Sequence, residues 1–276
     1  MENLNPTGSF KLRGAANKIL SMSDEARKLG VVTASTGNHG AGIGYMCSKT
    51  ETKGVVFAPS DVSQAKYDGM VSYGVEVIKT DGDPINGEIA SRKYAVDNNI
   101  PFVSPYNDME IVGGQGTIGF ELFSEIQDLD AVFISLGGGG LMSGIAIAMA
   151  NLSPKTKIIA VSAANSNVMM QSVAAGEVLD LPSEPTLSDG TAGGVEMGTI
   201  TFEYCRDYVD EFIGVTEQEL IEGLNIFIED TNTIGEGAVG VAVAGYLKQK
   251  DRWAGKNVAI IACGGNISRQ TLKDIL

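Results

Sequence analysis

Histidine and cysteine are scarce in this 276-residue sequence, and their scarcity excludes several kinds of site. His39 is the only histidine, so a metal site with two histidine ligands cannot form and any Ser-His-Asp triad would have to use His39. The three cysteines, Cys47, Cys205 and Cys263, are far apart and form no CxxC pair. We therefore expect neither a disulfide framework nor a structural zinc site, and the reducing cytoplasm is the expected location.

Basic residues are also few, with 20 Lys and Arg against 34 Asp and Glu and a formal net charge of −14. Such a charge repels a phosphate backbone, so no nucleic-acid partner is expected. No stretch approaches the roughly 20 apolar residues that span a bilayer, and the first residues lack a signal-peptide pattern, so no membrane partner is expected. Hydrophobic residues make up 43% of the chain, which is typical of a globular protein with one large or two small domains.

Apolar runs rich in β-branched residues alternate with helical patterns along the sequence. Strands are predicted at 31–35, 54–59, 75–80, 101–105, 131–136, 157–163 and 257–265. Helices are predicted at 40–49, 63–74, 83–99, 113–126, 137–152, 215–230 and 236–250. Asp83 is expected to cap one of these helices, and Thr216 with Glu219 to form a capping box on another. Continuous apolar strands that alternate with helices predict a parallel, doubly wound α/β fold.

Glycine is abundant, with 35 residues, and four consecutive glycines, Gly137–Gly140, lie between a predicted strand and a predicted helix. Backbone N–H groups at such a helix start converge on an anion, which favours phosphate binding. A tight turn is the alternative, although it needs only one or two glycines. The chain has neither a GxGxxG nor a GxxxxGK[ST] motif, so a monophosphorylated cofactor is favoured over a dinucleotide or a nucleoside triphosphate.

Lys11 lies between an aromatic residue and a predicted helix start, in the segment PTGSFKLRG. A surface lysine with an apolar stem is one interpretation of this position. The other is a lysine of lowered pKa that forms a Schiff base with an aldehyde. A phosphate loop together with such a lysine points to pyridoxal phosphate.

Two further loops follow predicted strands, Ser35–Gly40 with the sequence STGNHG and Cys263–Asn266 with the sequence CGGN. The hydroxyls, amide and N–H groups of the first loop suit a carboxylate, although an ordinary helix-capping turn would explain them equally well. A strand-terminating turn explains the second loop equally well. Because the carboxyl ends of parallel strands meet at one edge of a sheet, the four loops together favour a common site.

Six segments occur in the order found in one known enzyme group: TGSFKLRGA, ASTGNHG, GGQGT, SLGGGGLMSG, SDGTAGG and CGGN. From Glu2 to about Ser268, the chain resembles the threonine/serine dehydratase and serine racemase group of fold-type II pyridoxal-phosphate enzymes. The resemblance implies a tryptophan synthase beta-like α/β fold, with two doubly wound parallel-sheet domains and pyridoxal 5'-phosphate in the cleft. Residues 1–29 and 108–276 would form a large cofactor-binding domain, and residues 30–107 a small domain that closes over the substrate.

The resemblance also implies roles for residues at matching positions. Lys11 corresponds to the Schiff-base lysine, which also moves protons, and Thr36 to a second proton-transferring hydroxyl. The residues implied to bind the cofactor are Phe10, Lys11, Asn38, Gly137, Gly138, Gly139, Gly140, Leu141, Glu236 and Cys263. The residues implied to bind the substrate are Ser35, Thr36, Gly37, Asn38 and His39.

The sequence departs from the family's pattern at several positions. Cys263 replaces the usual serine near the pyridine nitrogen, and its weaker hydrogen bond is expected to be tolerated. Thr36 stands where racemases have serine and many dehydratases alanine. The stretch 160–168 has no Asp or Glu where racemase-like members bind a divalent cation, so no activating metal is expected there. A truncated or divergent start before Lys11, and no regulatory domain after Asn266, are also expected.

These features predict a pyridoxal-phosphate-dependent ammonia-lyase that converts a β-hydroxy amino acid, threonine or serine, to a 2-oxo acid and ammonia. A serine racemase and a 3-hydroxyaspartate ammonia-lyase are alternatives of the same class. A non-catalytic remnant is the alternative of a different class, and the intact Lys11 argues against it. The expected partner is a small amino-acid substrate, and the expected assembly is a homodimer.

Overall fold

The computed structural model describes residues 1–82 and 84–276, which contain two parallel β-sheets. The first sheet has the order β1-β2-β3 and the second the order β6-β5-β4-β7. The strands of the first sheet are β1 (Val31–Ala34), β2 (Gly54–Pro59) and β3 (Glu76–Thr80). Those of the second are β4 (Ala131–Ser135), β5 (Lys157–Ala163), β6 (Glu211–Val215) and β7 (Val258–Ile260). The predicted parallel α/β fold is therefore confirmed.

Helices connect and cover the strands of both sheets. Those before β4 are α1 (Lys11–Ser21), α2 (Asp24–Leu29), α3 (Asn38–Thr50), α4 (Gln64–Ser72), α5 (Pro84–Asp97) and α6 (Met109–Glu125). Those after it are α7 (Gly140–Leu152), α8 (Val168–Ala175), α9 (Ile200–Tyr208), α10 (Glu217–Thr231), α11 (Gly237–Lys248) and α12 (Arg269–Ile275). The capping box of Thr216 and Glu219 is confirmed at the start of α10, whereas the predicted cap Asp83 lies outside the described residues.

Two strand predictions were wrong, and one strand of the structure was not predicted. Residues 101–105 do not form a strand: Phe102 makes a single parallel bridge to Val32. Prolines at both ends of this segment lack the N–H that a longer ladder needs. The sequence patterns did not predict the short strand β6. The predicted strand at 257–265 ends at Ile260, because the chain then turns to pair with the N-terminal segment.

The pairing between the N-terminal segment and the residues after β7 fixes the start of α1. Ser9 forms an antiparallel bridge with Gly264, and the Phe10 N–H donates to the Cys263 carbonyl over 2.9 Å. Lys11 follows at once as the first residue of α1. The two ends of the chain thus bring Lys11 and Cys263 to the same place.

A close contact between α1 and α6 fixes the direction of α1. A Cβ atom placed on Gly114 of α6 would lie 2.6 Å from both the Arg13 carbonyl oxygen and the Gly14 Cα of α1. The Gly14 N–H also donates to Gln115 Oε1 over 3.2 Å. Since distances below 3.0 Å to backbone atoms are not tolerated, residue 114 has to be glycine for α1 to lie where it does. Among the described residues, no helix is both long enough and apolar enough to cross a membrane.

Gly114→Ala should lower the free energy of unfolding by roughly 1–3 kcal/mol, because the added methyl group separates α1 from α6. Gly113→Ala is the matched control on the same helix, since its Cβ would meet only Asn17 Nδ2 at an ordinary 3.5 Å. A change of less than about 1 kcal/mol is expected there, the size of the glycine-to-alanine difference in helix propensity. Urea denaturation of both variants measures the two effects, and equal effects would contradict the proposed contact.

Candidate active site

A cavity lies where the carboxyl ends of the two sheets face each other. Ser35, after β1, and Ser135, at the end of β4, contribute to its wall. The lining includes nearly all the site residues that the sequence predicts: Phe10, Lys11, Ser35, Thr36, Asn38, His39, 137–141, Glu236 and Cys263. Residues from five separate parts of the sequence thus meet in one cavity, as expected for loops that follow parallel strands.

Gly37 is the predicted site residue that does not line this cavity among the described residues. It lines a neighbouring cavity together with Lys66 of α4. Its φ of +152° is a backbone conformation that residues with a side chain rarely adopt. A Cβ atom at this position would also lie only 2.6 Å from Lys66 Cδ, so both observations explain why residue 37 is glycine. The predicted role of Gly37 in substrate binding stays a prediction.

Lys11 presents its amine to the cavity with one hydrogen-bond partner, the Pro105 carbonyl oxygen, at 2.8 Å. The Phe10 ring lies beside it, with its centroid 5.2 Å from Nζ. Burial lowers the pKa of Lys11 to about 8, although the acidic groups of Glu88, Cys263 and Glu236 oppose the shift. A useful fraction of the amine is therefore uncharged near neutral pH, the form that attacks an aldehyde or accepts a proton.

The tetraglycine loop brings the start of α7 to the cavity. A Cβ on Gly138 would lie 2.6 Å from the Tyr106 ring, and one on Gly137 would lie 2.8 Å from Thr191 Cα. Gly139 has a φ of +86°, in the left-handed region. Close packing and backbone conformation thus require these three glycines, and the N-terminal N–H groups of α7 suit an anion.

The loop before α3 has a structural role in addition to any binding role. Ser35 Oγ accepts hydrogen bonds from the N–H groups of Gly37, at 2.9 Å, and Gly40, at 2.8 Å. The bond from Gly40 satisfies an N–H group in the first turn of α3, although Ser35 lies two residues before the N-cap, Gly37. His39 is buried, and burial with the nearby Lys11 lowers the pKa of His39 to about 3, so its imidazole is neutral. Any carboxylate bound here would therefore depend on N–H and hydroxyl groups rather than on a histidine cation.

Asn38 is fixed from two sides by hydrogen bonds. Its Nδ2 donates to both carboxylate oxygens of Glu236, at 2.8 and 3.0 Å. Its Oδ1 accepts from Asn266 Nδ2 at 2.7 Å. Burial raises the pKa of Glu236 to about 6, with Lys66 and the Asn38 amide opposing the rise. The Asn38 amide, which the resemblance assigns to cofactor binding, is thus held in one orientation.

Cys263 is buried, with its Sγ 3.5 Å from Ser135 Oγ. Burial raises the pKa of the Cys263 thiol to about 12, so the thiol is uncharged at neutral pH. A neutral thiol is a weak hydrogen-bonding group, and the predicted place of Cys263 near the pyridine nitrogen stays a prediction.

Other residues of the cavity had no role in the sequence-based predictions. They include Glu88 of α5, Pro105, Tyr106 and the loop 190–194. The loop belongs to the quoted SDGTAGG segment, so its glycines were a signal, but Glu88 and Tyr106 stand in patterns that any surface helix or loop could show. Their contribution depends on long-range packing.

The residues of the cavity fit a phosphorylated aldehyde cofactor. Lys11 supplies an amine with a lowered pKa, and 137–140 supply a glycine-lined helix start that has no side chain in the way. Two parallel sheets that meet at such a site are the arrangement of a fold-type II pyridoxal-phosphate enzyme. Residues 1–264 match the family model described as pyridoxal-phosphate dependent enzyme, and the chain belongs to this family, with pyridoxal phosphate as its cofactor.

Known proteins similar to this chain include ammonia-lyases and a racemase. L-threonine ammonia-lyase of Thermotoga maritima is 36% identical over 100% of this chain and 68% of its own length. L-threo-3-hydroxyaspartate ammonia-lyase of Saccharomyces cerevisiae is 34% identical over 96% of this chain and 81% of its own length. The solved structure of maize serine racemase superposes with a TM-score of 0.91 at 29% identity, over 99% of this chain and 84% of that one.

Metal binding is a separate question. Within residues 1–82 and 84–276, no group of three or more His, Cys, Asp or Glu side chains is arranged to hold a metal ion. The expectation that no activating metal binds at 160–168 stays a prediction.

Glu236→Gln should stabilise the cofactor-free protein in a pH-dependent way. A rise in pKa from 4.5 to about 6 means that ionising this carboxyl costs the folded state about 2 kcal/mol. The cost is absent below pH 4.5 and complete above pH 6, so the variant should exceed the wild type in free energy of unfolding only at the higher pH. Urea denaturation at pH 4.5 and 7.5 measures this, with the exposed Glu222→Gln as control. Destabilisation of equal size at both pH values would refute the explanation.

Proposed function

We propose that this protein is a β-elimination ammonia-lyase that converts serine or threonine to a 2-oxo acid and ammonia. One observation carries the proposal: the Lys11 amine, with its lowered pKa, lines the same cavity as the 137–141 loop and the loop before α3. The family membership and the ammonia-lyase relatives support it.

The proposed roles follow the walls of the cavity. Residues 137–141 would hold the cofactor's phosphate at the start of α7. Lys11 would bind the aldehyde carbon of the cofactor. Phe10, Asn38, Glu236 and Cys263 would border its ring. The loop 35–39 would hold the carboxylate of the amino acid.

The proposed reaction needs one base and one acid from the surroundings of the cofactor. Bound pyridoxal phosphate acts as an electron sink for the electrons left at Cα. When the amino group of the substrate takes the place of Lys11 at the aldehyde carbon, the freed Lys11 amine would remove the proton from Cα. Its lowered pKa suits it to act as a base near neutral pH. The hydroxyl group on Cβ would leave as water with a proton from a nearby acid, and hydrolysis of the released enamine would give the 2-oxo acid and ammonia.

We also propose that residues 30–107 form a small domain that closes over the substrate, and that 1–29 with 108–276 form the large domain. Support comes from the separate sheet β1-β2-β3 and from ion pairs between the two parts. Arg92 of α5 pairs with Glu196 at 2.7 Å, and Lys66 of α4 pairs with Asp189. Closure would exclude water from the reacting atoms.

Assembly and location complete the proposal. A homodimer is supported by two exposed aromatic side chains on α6, Phe120 and Phe123, with exposures of 57% and 47%. A cytoplasmic location is supported by the three free cysteines. The proposed partners are amino-acid substrates, with neither nucleic acid nor membrane.

Serine racemisation is the second candidate, and a single observation favours it: Thr36 lines the cavity that Lys11 also lines. A hydroxyl on the face of the cofactor opposite Lys11 would return a proton to Cα and invert its configuration. Elimination from 3-hydroxyaspartate is a third candidate, and one relative carries that name.

Lys11→Ala should lower the release of 2-oxo acid from L-serine and L-threonine by at least about 100-fold, since a positioned acid–base group contributes on the order of 10²–10⁴-fold. The absorption band of the bound cofactor should shift as well, while the circular dichroism spectrum stays unchanged. Lys28→Ala, on the exposed surface of α2, is the control and should keep full activity. Full activity of Lys11→Ala would refute the proposed function.

Thr36→Ala separates the two candidate reactions. If Thr36 passes a proton, the variant should lose D-serine formation and solvent-deuterium exchange on D-serine by at least about tenfold, and keep elimination from L-serine at a reduced rate. Thr36→Ser, which retains the hydroxyl, should keep both activities. Chiral chromatography and 2-oxo acid assays measure them. Equal losses with both enantiomers would mark Thr36 as a carboxylate-binding or structural residue.

A further inference from the structure

Glu88 is a carboxyl group of the cavity that the proposed mechanism does not use. It lies on α5 and lines the cavity together with Lys11. Its Oε2 accepts a hydrogen bond from the Tyr106 hydroxyl over 3.4 Å. The carboxyl group therefore faces the space that a substrate would enter, on the wall that residues 30–107 provide.

Tyr106 holds Glu88 in place because Tyr106 is itself fixed. Its ring lies against the glycine loop, where a Cβ on Gly138 would come within 2.6 Å of the ring. A Cβ on Gly140 would lie 3.0 Å from the Cα and Cβ atoms of Tyr106. Its hydroxyl oxygen accepts from the Glu196 N–H at 3.0 Å. The position of Glu88 thus depends on the same packing that shapes the phosphate loop.

Arg92, one turn after Glu88 on α5, is engaged outside the cavity. Its guanidinium bonds Glu196 Oε2 at 2.7 Å and lies 4.2 Å from the centroid of the Phe102 ring. Arg92 does not line the cavity among the described residues. It is therefore not placed to bind an anionic group of a substrate.

The charges on the cavity lining are uneven. Among the described residues, Lys11 is the sole Lys or Arg on the lining, and the imidazole of His39 is neutral. The Lys11 nitrogen is the group that would hold the cofactor. The acidic groups are Glu236, which faces the Asn38 amide, and Glu88. A second carboxylate on a substrate would find no cation to pair with and would meet Glu88.

From this arrangement we infer that Glu88 is a specificity-determining residue that disfavours amino acids with a side-chain carboxylate. The inference rests on the proposed function and narrows its substrate class to amino acids with an uncharged side chain, such as serine and threonine. Like charges brought together in a partly buried site raise the free energy of the complex, since water screens them less than in bulk.

The discrimination should depend on pH. Burial and the carboxylate of Glu196 raise the pKa of Glu88 to about 7, whereas Arg92, Lys11 and the Tyr106 hydroxyl oppose the rise. Glu88 is therefore mostly neutral at pH 6 and mostly ionised at pH 8. Exclusion of an acidic side chain should be weak at pH 6 and stronger at pH 8.

Binding of L-asparagine and L-aspartate to the holoenzyme tests the inference, because the two ligands have the same shape and differ in side-chain charge. At pH 8, calorimetry on the wild type should give a dissociation constant for L-aspartate at least about tenfold above that for L-asparagine. In Glu88→Gln, which keeps the shape and an acceptor for Tyr106, the ratio should fall to within about threefold. Asp97→Asn is the control on the same helix, since it removes only the exposed ion pair with Lys93 and should leave the ratio unchanged.

Turnover gives an independent measurement. The ratio of kcat/KM for L-threo-3-hydroxyaspartate to that for L-serine should fall at least about threefold in the wild type from pH 6 to 8, and stay flat in Glu88→Gln. The pH profile of the wild type needs no variant, so it tests the inferred role of Glu88 even if Glu88→Gln fails to fold. The inference would be overturned if the kcat/KM ratio of the wild type did not change between pH 6 and 8. It would also be overturned if Glu88→Gln left the ratio of the dissociation constants of L-aspartate and L-asparagine unchanged.

The two proposals fail in different ways. If the wild type releases no 2-oxo acid from any β-hydroxy amino acid but the binding ratio responds to Glu88→Gln, the proposed function is wrong and the role of Glu88 is supported. If serine is turned over but Glu88→Gln changes neither the binding ratio nor the pH dependence of the kcat/KM ratio, the inferred role of Glu88 is wrong and the proposed function is supported.

Discussion

The site depends on a short set of backbone hydrogen bonds that joins the N-terminal segment to the residues after β7. The Asn3 N–H donates to the Ala262 carbonyl over 3.0 Å, and the Gly265 N–H to the Gly8 carbonyl over 2.9 Å. A third bond follows on the N-terminal segment, where the Phe10 N–H donates to the Cys263 carbonyl over 2.9 Å. Because Lys11 comes directly after this pairing, its position in the cavity is fixed by the opposite end of the chain. The close contact of α1 with Gly114 then sets its direction.

Burial is the common cause of the protonation states in the cavity. It lowers the pKa values of Lys11 and His39 and raises those of Glu236, Glu88 and the Cys263 thiol. In each case the charged form loses more solvation than its neighbours restore. The cavity thus favours uncharged groups, which suits a reaction in which the amine of Lys11 must be free of its proton and water must stay out.

The sequence predicts the parts of this structure that short-range patterns determine. Alternating apolar strands and helices indicate the parallel fold, and the glycines at 137–140 indicate a loop before a helix start. The apolar pattern at 101–105 predicts a strand, but the structure has only one bridge there, at Phe102, between Pro101 and Pro105. The residue pattern also does not reveal that Glu88 and Tyr106 face the cavity, because which side of α5 meets the glycine loop is decided by packing between distant segments. Asn38 is an intermediate case: its motif indicates a site, but its two partners, Glu236 and Asn266, come from distant parts of the sequence.

The joining of the two ends of the chain has a consequence for biosynthesis. Ribosomes make proteins in the direction from the N-terminus to the C-terminus, so the segment with Lys11 is made well before its partners at 262–265. Until then, the strand partner of Ser9 does not exist, and the first turn of α1 lacks its anchor. The contacts that form the site are therefore of high sequence separation, which slows their formation. Cofactor capture through Lys11 in this geometry has to wait until almost the whole described chain has left the ribosome.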